Sequence, residues 1–211
     1  MTSLRKKNYG KINRDKRILF TWDNKEYSGY EGDSLASALL ANDVKIVGRS
    51  FKYHRPRGVM SCGVEESGAL VTVGSGSKRD PNVRATTQEL YEGLDAKGQN
   101  AFPSVNFDFG GINNYLGRFF AAGFYYKTFM GLPPFEWGKG TGIWMVFEKI
   151  IRKAAGMGKA SREPDPDSYE HANDFCDVLV VGSGPAGVAA AKEAANQNLN
   201  VILIEQDSLL G

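Results

Sequence analysis

The sequence has few cysteines and no long apolar segment, and each shortage excludes a class of protein. Only Cys62 and Cys176 occur in 211 residues, and neither belongs to a Cys-x-x-Cys pair. A disulfide framework is therefore excluded, and a reducing cytoplasm is the expected compartment. No apolar run reaches the length of about 18 residues that a membrane helix needs, and no apolar segment follows the N-terminal lysines as in an export signal. We expect no association with a membrane.

Charge is balanced overall and uneven locally. The chain has 26 basic and 24 acidic residues and a formal net charge of +2, so the total predicts no binding to nucleic acid. Seven basic residues lie between Arg5 and Arg17 and face one acid, Asp15. We interpret this stretch as a solvated basic arm.

A β-hairpin is predicted near the N-terminus. Ile18, Phe20 and Trp22 recur at every second position, as in a strand with one buried face. Asp23-Asn24 then supplies turn residues, and a second strand follows from Lys25. A small sheet is expected to begin here.

A short helix and several strands follow the hairpin. Asp33 is the predicted N-cap of a helix over residues 34–42, whose apolar face carries Leu35, Ala38 and Leu39. Further strands are predicted at 44–47, 69–73 and 82–86, with a turn-rich break at 74–80 and a short helix at 88–91. This order predicts an α+β module of the β-grasp, ferredoxin-like type.

A basic and aromatic loop, GRSFKYHRPRG, covers residues 48–58. Its four cations and two aromatic residues could hold single-stranded nucleic acid or an anionic cofactor. Alternatively, it forms a polar surface that pairs with acids nearby in sequence, such as Glu65 and Glu66. Composition favours the second interpretation.

The ferredoxin-like module is predicted to hold no iron–sulfur cluster. A plant-type ferredoxin carries Cys-x4-Cys-x2-Cys in this region, and here Cys62 is the only cysteine. Four thiolates cannot be assembled, and no other metal site is predicted. Cys62 is expected to be a packed, small hydrophobic side chain.

An aromatic-rich region separates this module from the C-terminal residues. Residues 101–147 combine dense aromatic residues with glycine and proline breaks, which predicts irregular structure with short helices. The aromatic area is expected to be buried against the same chain or against another domain or subunit. Helix is predicted at 148–155, followed by a polar linker. The predicted organisation is a basic arm (1–17), a β-grasp module (18–90), a connecting region (91–155), a linker (156–176) and a dinucleotide-binding unit (177–211).

The dinucleotide-binding unit begins with the apolar strand 177–181, which is followed directly by G-x-G-x-x-G. Gly182 permits the tight turn, Gly184 lets the backbone approach a pyrophosphate, and Gly187 allows close packing of helix on strand. Ser183, Pro185 and Ala186 complete the predicted binding loop. Pro185 suits the first helical turn, and the helix N-terminus favours an anion.

A second strand ends at Glu205, about 20 residues after the glycines. An acid at this position binds a ribose hydroxyl and favours an unphosphorylated ribose, so the predicted cofactor is NAD, with FAD as the alternative. Two parallel strands and one helix leave the faces of a parallel sheet largely uncovered. We therefore expect residues 177–211 to be part of a larger Rossmann-type α/β domain, truncated in this chain.

Several motifs resemble one known family, the alpha subunits of heterotetrameric bacterial sarcosine oxidase. The resemblance runs from about Ile18 to Gly211. The motifs that carry it are GYEGDSLASALLAN at 29–42, GRSFKYHRPRG at 48–58, PNVRAT at 81–86, AGFYYKTFM at 122–130 and the dinucleotide motif at 177–187.

The resemblance implies a multisubunit flavoenzyme that oxidatively demethylates sarcosine. The products would be glycine, hydrogen peroxide, and formaldehyde or 5,10-methylenetetrahydrofolate. It also implies beta, gamma and delta subunits as partners, FAD and FMN held through the beta subunit, and NAD at the glycine motif of this chain. No residue of the chain is expected to be catalytic, because amine oxidation belongs to the beta subunit in that family.

Two alternatives remain open from the sequence. The first is a subunit of a related amine or opine dehydrogenase, whose members often keep the cluster cysteines that this chain lacks. The second is a nucleic-acid-binding module that uses residues 48–58 and the basic arm, against which the near-neutral net charge argues.

Overall fold

The computed structural model describes residues 4–6, 9–117, 148–149, 152, 158–206 and 210. The chain divides into two compact units, Met1–Pro166 and Asp167–Gly211. No helix within the described ranges combines the length and the apolar character that crossing a membrane requires. The motif at 122–130 and the aromatic residues at 118–147 lie outside the described residues.

The first unit is built on a five-stranded mixed sheet, against which the helix α1 (Leu35–Ala41) packs. Its strands stand in the order β2-β1-β7-β5-β6, with β1 and β7 parallel and the other neighbours antiparallel. A separate two-stranded ladder joins β3 and β4. The elements in chain order are β1 (Asn13–Trp22), β2 (Lys25–Glu31), α1 (Leu35–Ala41), β3 (Gly48–Arg49), β4 (Pro56–Arg57), β5 (Leu70–Val73), β6 (Asp80–Arg84) and β7 (Asp95–Gly98). Short 3-10 helices cover Gly63–Glu65, Gly76–Lys78 and Phe109–Asn114.

The N-terminal hairpin is confirmed. Asp23 and Asn24 both have positive φ, 47° and 63°, which is the backbone of the tight turn that matches the twist of paired strands. The strand β1 begins five residues earlier than predicted, at Asn13, so part of the expected basic arm belongs to the sheet.

The core lies between the sheet and α1. The alternation in β1 is the predicted one, since Ile18, Phe20 and Trp22 are buried while Leu19 is 38% exposed. They pack with apolar residues of the helix and of the other strands: Leu35, Ala38, Leu39, Val71, Val73 and Ala96. Burying each of the large apolar side chains contributes about 1.5–3 kcal/mol, so this face of β1 is a substantial part of the core.

The helix is confirmed, but its N-cap is Ser34 and not Asp33. The Ser34 side chain accepts a hydrogen bond from the backbone N–H of Ser37. Asp33 is instead a buried acceptor: it receives the Tyr30 N–H at 2.9 Å, the Ser37 hydroxyl at 2.6 Å and both terminal nitrogens of Arg5. Arg5, predicted to be solvated, is thus half of a buried ion pair.

Three local predictions in this unit were wrong. Residues 44–47 are not a strand, and the ladder begins directly after them, at Gly48 of β3. Residues 88–91 are not helical, and Glu89 instead forms an isolated bridge with Ser34. The strand β7 was missed, although it is the parallel neighbour of β1. Its sequence, Asp-Ala-Lys-Gly, lacks the β-branched and aromatic residues that mark strands.

Within the predicted connecting region (91–155), residues 95–98 form β7 of the sheet, and residues 99–117 contain no further strand or α-helix. Within 101–117 the regular structure is the 3-10 helix Phe109–Asn114, as predicted. Glu148, Lys149 and Arg152 are helical, while the rest of the helix predicted at 148–155 lies outside the described residues. Residues 158–176 contain no helix or strand, in keeping with a linker.

The second unit is a strand–helix–strand unit. Its elements are β8 (Val178–Val181), α2 (Pro185–Asn196) and β9 (Val201–Ile204). The two strands are parallel, with Val178 opposite Val201 and Val181 opposite Ile204. Within this unit one helix covers two strands, so Leu179 and Val181 remain 56% and 75% exposed. The strand was predicted to be buried on both faces.

Candidate functional site

The candidate site lies in the second unit, where β8 turns into α2. Gly182 directly follows β8 and has a φ of 96°, a conformation that an L side chain rarely adopts. Its N–H donates to the carbonyl of Ile204 at 2.8 Å, so the turn begins while the backbone is still paired with β9. The sequence assigned this tight turn to Gly182.

The N-terminus of α2 is open at Gly184. A Cβ built on Gly184 would meet no atom within 4 Å, and Gly184 is the N-cap residue of a helix whose first residue is Pro185. The first backbone hydrogen bond of the helix runs from Val188 N–H to Gly184 C=O, so the N–H groups of Ala186 and Gly187 precede the helical ladder. Such a terminus suits a phosphate, which the N–H groups and the helix dipole attract.

Gly187 has a different role from Gly184. A Cβ at Gly187 would clash with the backbone carbonyl oxygen of Gly182 and would come within 3.5 Å of Val180 Cγ1. A side chain here would push α2 away from β8. Gly187 therefore allows the close packing of helix and strand that the motif requires.

Glu205 follows β9 directly and reaches back to the glycine loop. One of its carboxylate oxygens accepts two hydrogen bonds from Ser183, from the backbone N–H at 2.6 Å and from the hydroxyl at 2.7 Å. The other oxygen accepts the N–H of Gln206 at 2.7 Å. The predicted acid and the predicted loop thus meet in space, although 22 residues separate Ser183 from Glu205.

Ser183 was predicted only as a member of the loop, and its contact with the acid was missed. The Ser183 residue is 1% exposed, so the hydroxyl lies inside the turn, on the Glu205 carboxylate. The serine between the first two glycines is the one feature of the sequence that could have indicated this contact. Local propensity cannot predict the contact of Ser183 with Glu205, because the two residues lie in different loops.

The basic loop at 48–58 is held by partners far away in sequence and by a contact within the loop. His54 Nδ1 lies 2.7 Å from Asp108 Oδ2, and both side chains are largely buried. Arg49 donates to the carbonyls of Val105, at 2.7 Å, and His54, at 3.2 Å. The acids predicted to pair with this loop, Glu65 and Glu66, are not these partners.

Glu66 is a buried acid of the first unit. It is 2% exposed, and its carboxylate accepts four backbone N–H groups. Burial alone would raise the pKa of Glu66, but the four donors together outweigh it and hold the pKa below its usual value of 4.5. The residue therefore stays ionised inside the first unit.

The donor set of the first unit does not fit an iron–sulfur cluster. In the sequence Cys62 is the only cysteine of this unit, and its side chain is exposed and not packed as predicted. Over the part of the chain that the structure describes, no three His, Cys, Asp or Glu side chains come together in a way that could hold a metal ion. A cluster held by four thiolates cannot form here.

Two parts of the chain match known families. Residues 15–101 match the family described as 2Fe-2S iron-sulfur cluster binding domain, and residues 177–211 match the family described as FAD dependent oxidoreductase. The predicted order is thereby confirmed at the coarse level: a ferredoxin-like module precedes the start of a dinucleotide-binding domain. Residues 15–101 contain one cysteine, Cys62, and so lack the four thiolates that hold a plant-type cluster.

Among solved structures, L-proline dehydrogenase from P. horikoshii is similar with a TM-score of 0.42 and 21% identity, over 94% of this chain and 26% of that one. A likeness of this size does not define the fold.

Similarity to curated proteins extends over the whole chain. The chain is 52% identical over 211 residues to the sarcosine oxidase subunit alpha of Rhizobium meliloti (strain 1021), covering 100% of this chain and 21% of that protein. It is 32% identical over 199 residues to the sarcosine oxidase subunit alpha of Corynebacterium sp. (strain U-96), covering 93% of this chain and 15% of that protein. The chain thus spans about a fifth or less of the length of these relatives. By sequence the chain belongs to the family of sarcosine oxidase alpha subunits, as its motifs predicted.

Proposed function

We propose that the chain is part of an alpha subunit in a multisubunit flavoenzyme that oxidatively demethylates sarcosine. The products are glycine, hydrogen peroxide, and either formaldehyde or 5,10-methylenetetrahydrofolate. The observation that carries the proposal is the 52% identity to a sarcosine oxidase alpha subunit across both units of the chain. Oxidation at a CH–NH bond is part of the proposal.

In this enzyme, Gly182 to Gly187 and Glu205 bind the adenosine end of a dinucleotide. The open N-terminus of α2 at Gly184 receives the pyrophosphate, and the carboxylate of Glu205 accepts a hydrogen bond from a ribose hydroxyl. Ser183 holds that carboxylate beside the loop. A bound nicotinamide or flavin dinucleotide supplies hydride-transfer chemistry. The residues of this chain supply binding, and none is assigned a catalytic role.

The dinucleotide is NAD in this proposal, and FAD is the second candidate. The resemblance to sarcosine oxidase alpha subunits supports NAD, and an acid after β9 suits any unphosphorylated ribose. The match of residues 177–211 to FAD-dependent oxidoreductases favours FAD. Both cofactors share the ADP moiety that the glycine loop would contact.

The proposed partners are the beta, gamma and delta subunits, with FAD and FMN held through beta. Exposed aromatic residues of the connecting region support a role in subunit contacts. Phe102, Phe107 and Phe109 are 63–71% exposed and pack on one another, with ring centroids 5.2 Å and 6.2 Å apart. Aromatic side chains of this kind are enriched in protein interfaces.

Two observations weigh against the alternatives. Subunits of the related dehydrogenases often carry electrons through an iron–sulfur cluster, and the first unit lacks the thiolates for one. A nucleic-acid-binding loop needs basic side chains directed at a ligand. Arg49 and His54 are instead directed at carbonyls and a carboxylate of the same chain.

The proposal is tested with the enzyme that contains this chain, purified together with its partner subunits. Sarcosine should produce hydrogen peroxide in proportion to oxygen consumed, and denaturation should release NAD as well as flavin. Turnover that reduces a dye and yields no peroxide would assign the chain to a dehydrogenase instead. If denaturation releases FAD bound to this subunit and no NAD, the second cofactor candidate replaces the first.

A further inference from the structure

The carboxylate of Glu66 ties together both ends of the loop formed by residues 60–69. One oxygen accepts the N–H of Met60 at 2.7 Å and of Ser61 at 2.9 Å. The other accepts the N–H of Gly68 at 2.5 Å and of Ala69 at 3.0 Å. Four backbone donors therefore converge on one buried anion.

The cysteine spacing of a plant-type iron–sulfur loop matches the spacing of the residues in this hydrogen-bonded loop. A plant-type [2Fe–2S] loop carries Cys-x4-Cys-x2-Cys. With its middle cysteine placed at Glu66, the other two fall on Ser61 and Ala69. Ser61 and Ala69 are two of the four residues whose N–H groups donate to Glu66.

The register that uses Cys62 as its first cysteine is unfavourable. It places the third ligand at Leu70, which belongs to β5 and pairs with Arg84 of β6. The first ligand would be Cys62, which is exposed. The register through Ser61 and Ala69 instead keeps all three positions within the loop.

The fourth ligand of a plant-type cluster comes from later in the chain, and Thr86 lies in a suitable place. Its hydroxyl donates to the carbonyl of Gly63 at 2.7 Å, inside the same loop. The preceding residue, Ala85, donates its N–H to the carbonyl of Ala69 at 3.0 Å. The loop and the end of β6 are thus joined at two points.

We infer that the Glu66 carboxylate takes the structural place of an iron–sulfur cluster in this module. Bound clusters are negatively charged, and their sulfur atoms accept hydrogen bonds that tune them. A loop that would fold around such an anion here folds around the carboxylate of one of its own residues. The loop keeps its shape without iron, and the module serves as a scaffold. The inference rests on the family match of residues 15–101 and is independent of the dinucleotide proposal.

A first experiment removes the anion and supplies another. In the assembled enzyme, Glu66→Ala should raise the amide hydrogen-exchange rates of residues 60–69 by about tenfold or more. Added formate should lower those rates again, because a small carboxylate can occupy the four N–H groups. The matched control is Glu65→Ala, since Glu65 is exposed and adjacent. Unchanged exchange in Glu66→Ala, or no effect of formate on it, would overturn the inference.

A second experiment asks whether the loop accepts a cluster. The variant S61C/E66C/A69C/T86C, treated anaerobically with ferrous iron and sulfide, should bind about two iron atoms per chain and absorb visible light. The control S67C/L70C/T86C uses the register that begins at Cys62 and should bind none. Iron bound only by the control would overturn the assignment of Glu66. If the first variant does not fold, the exchange result with formate decides.

Discussion

Ser183 donates two hydrogen bonds to a single carboxylate oxygen of Glu205, from its N–H at 2.6 Å and from its hydroxyl at 2.7 Å. This contact joins the turn after β8 to the end of β9. The acid proposed to bind ribose is therefore positioned by the loop proposed to bind pyrophosphate. We therefore expect the affinity for the dinucleotide to depend on Ser183, even if the Ser183 side chain does not contact the cofactor.

Ser183→Ala removes the hydroxyl and leaves the backbone N–H donor. Losing one hydrogen bond of this kind costs about 1 kcal/mol, so we expect the dinucleotide affinity to fall by roughly fivefold. Titration of the cofactor-depleted enzyme with NAD measures the change. Ser168→Ala, at an exposed position of the same unit, serves as control. Equal affinities for both variants would show that the hydroxyl does not position Glu205.

The ion pair of Arg5 and Asp33 should contribute to the stability of the first unit. Asp33 is 2% exposed, and Arg5→Ala leaves its carboxylate without the cation. Removing one partner from such a pair should lower the free energy of unfolding of the first unit by about 3 kcal/mol. Denaturant unfolding, followed by hydrogen exchange in α1, measures this.

The control for Arg5→Ala is Lys16→Ala. It removes the cation from the surface pair with Glu31, where the side chains of Lys16 and Glu31 are 63% and 44% exposed. We expect no measurable change in the stability of the first unit. Equal losses in both variants would contradict the assignment of Arg5 to a buried pair.

The stability of the loop formed by residues 60–69 should depend on pH through Glu66. Its folded-state pKa lies below the usual 4.5, so the stabilisation by its carboxylate is complete above that pH and is lost as the pH falls through the folded-state pKa. Near pH 7 the amide hydrogens of residues 60–69 should therefore exchange faster in Glu66→Gln than in the wild type. The ratio of the two rates should approach one in acid, well below about pH 4.5. A ratio that is independent of pH would mean that the charge of Glu66 does not hold the loop.

Local patterns in the sequence predicted most of the elements that position the candidate site. Gly182 has the positive φ of the predicted tight turn, Gly187 lies against β8 as predicted, and β1 buries every second residue from Ile18 to Trp22 as its alternation indicates. Both features depend on residues close together in sequence, where steric and periodic rules are strong. The capping residue was misplaced by one position, because Asp33 and Ser34 are both good caps. The choice was decided by Arg5, a long-range partner of Asp33.

Contacts between distant residues could not be predicted in this way. His54 pairs with Asp108 across 54 positions, and the hydroxyl of Ser183 meets Glu205 across 22. The strand β7 owes its place in the sheet to pairing with β1 and β5, because its own residues have low strand propensity. In each case tertiary structure, and not the local pattern, determines the outcome.

The most direct test of the dinucleotide proposal is the NAD content of the assembled enzyme carrying Gly184→Val. The backbone at Gly184, with φ of −58° and ψ of 173°, suits valine before proline, and a Cβ there meets no protein atom. The variant should fold, while its side chain would occupy the space that the pyrophosphate needs. Gly111→Val, at an equally open position in the first unit, is the control. We predict that Gly184→Val loses the NAD that wild type and control retain; full NAD content in Gly184→Val would contradict the assignment of this loop.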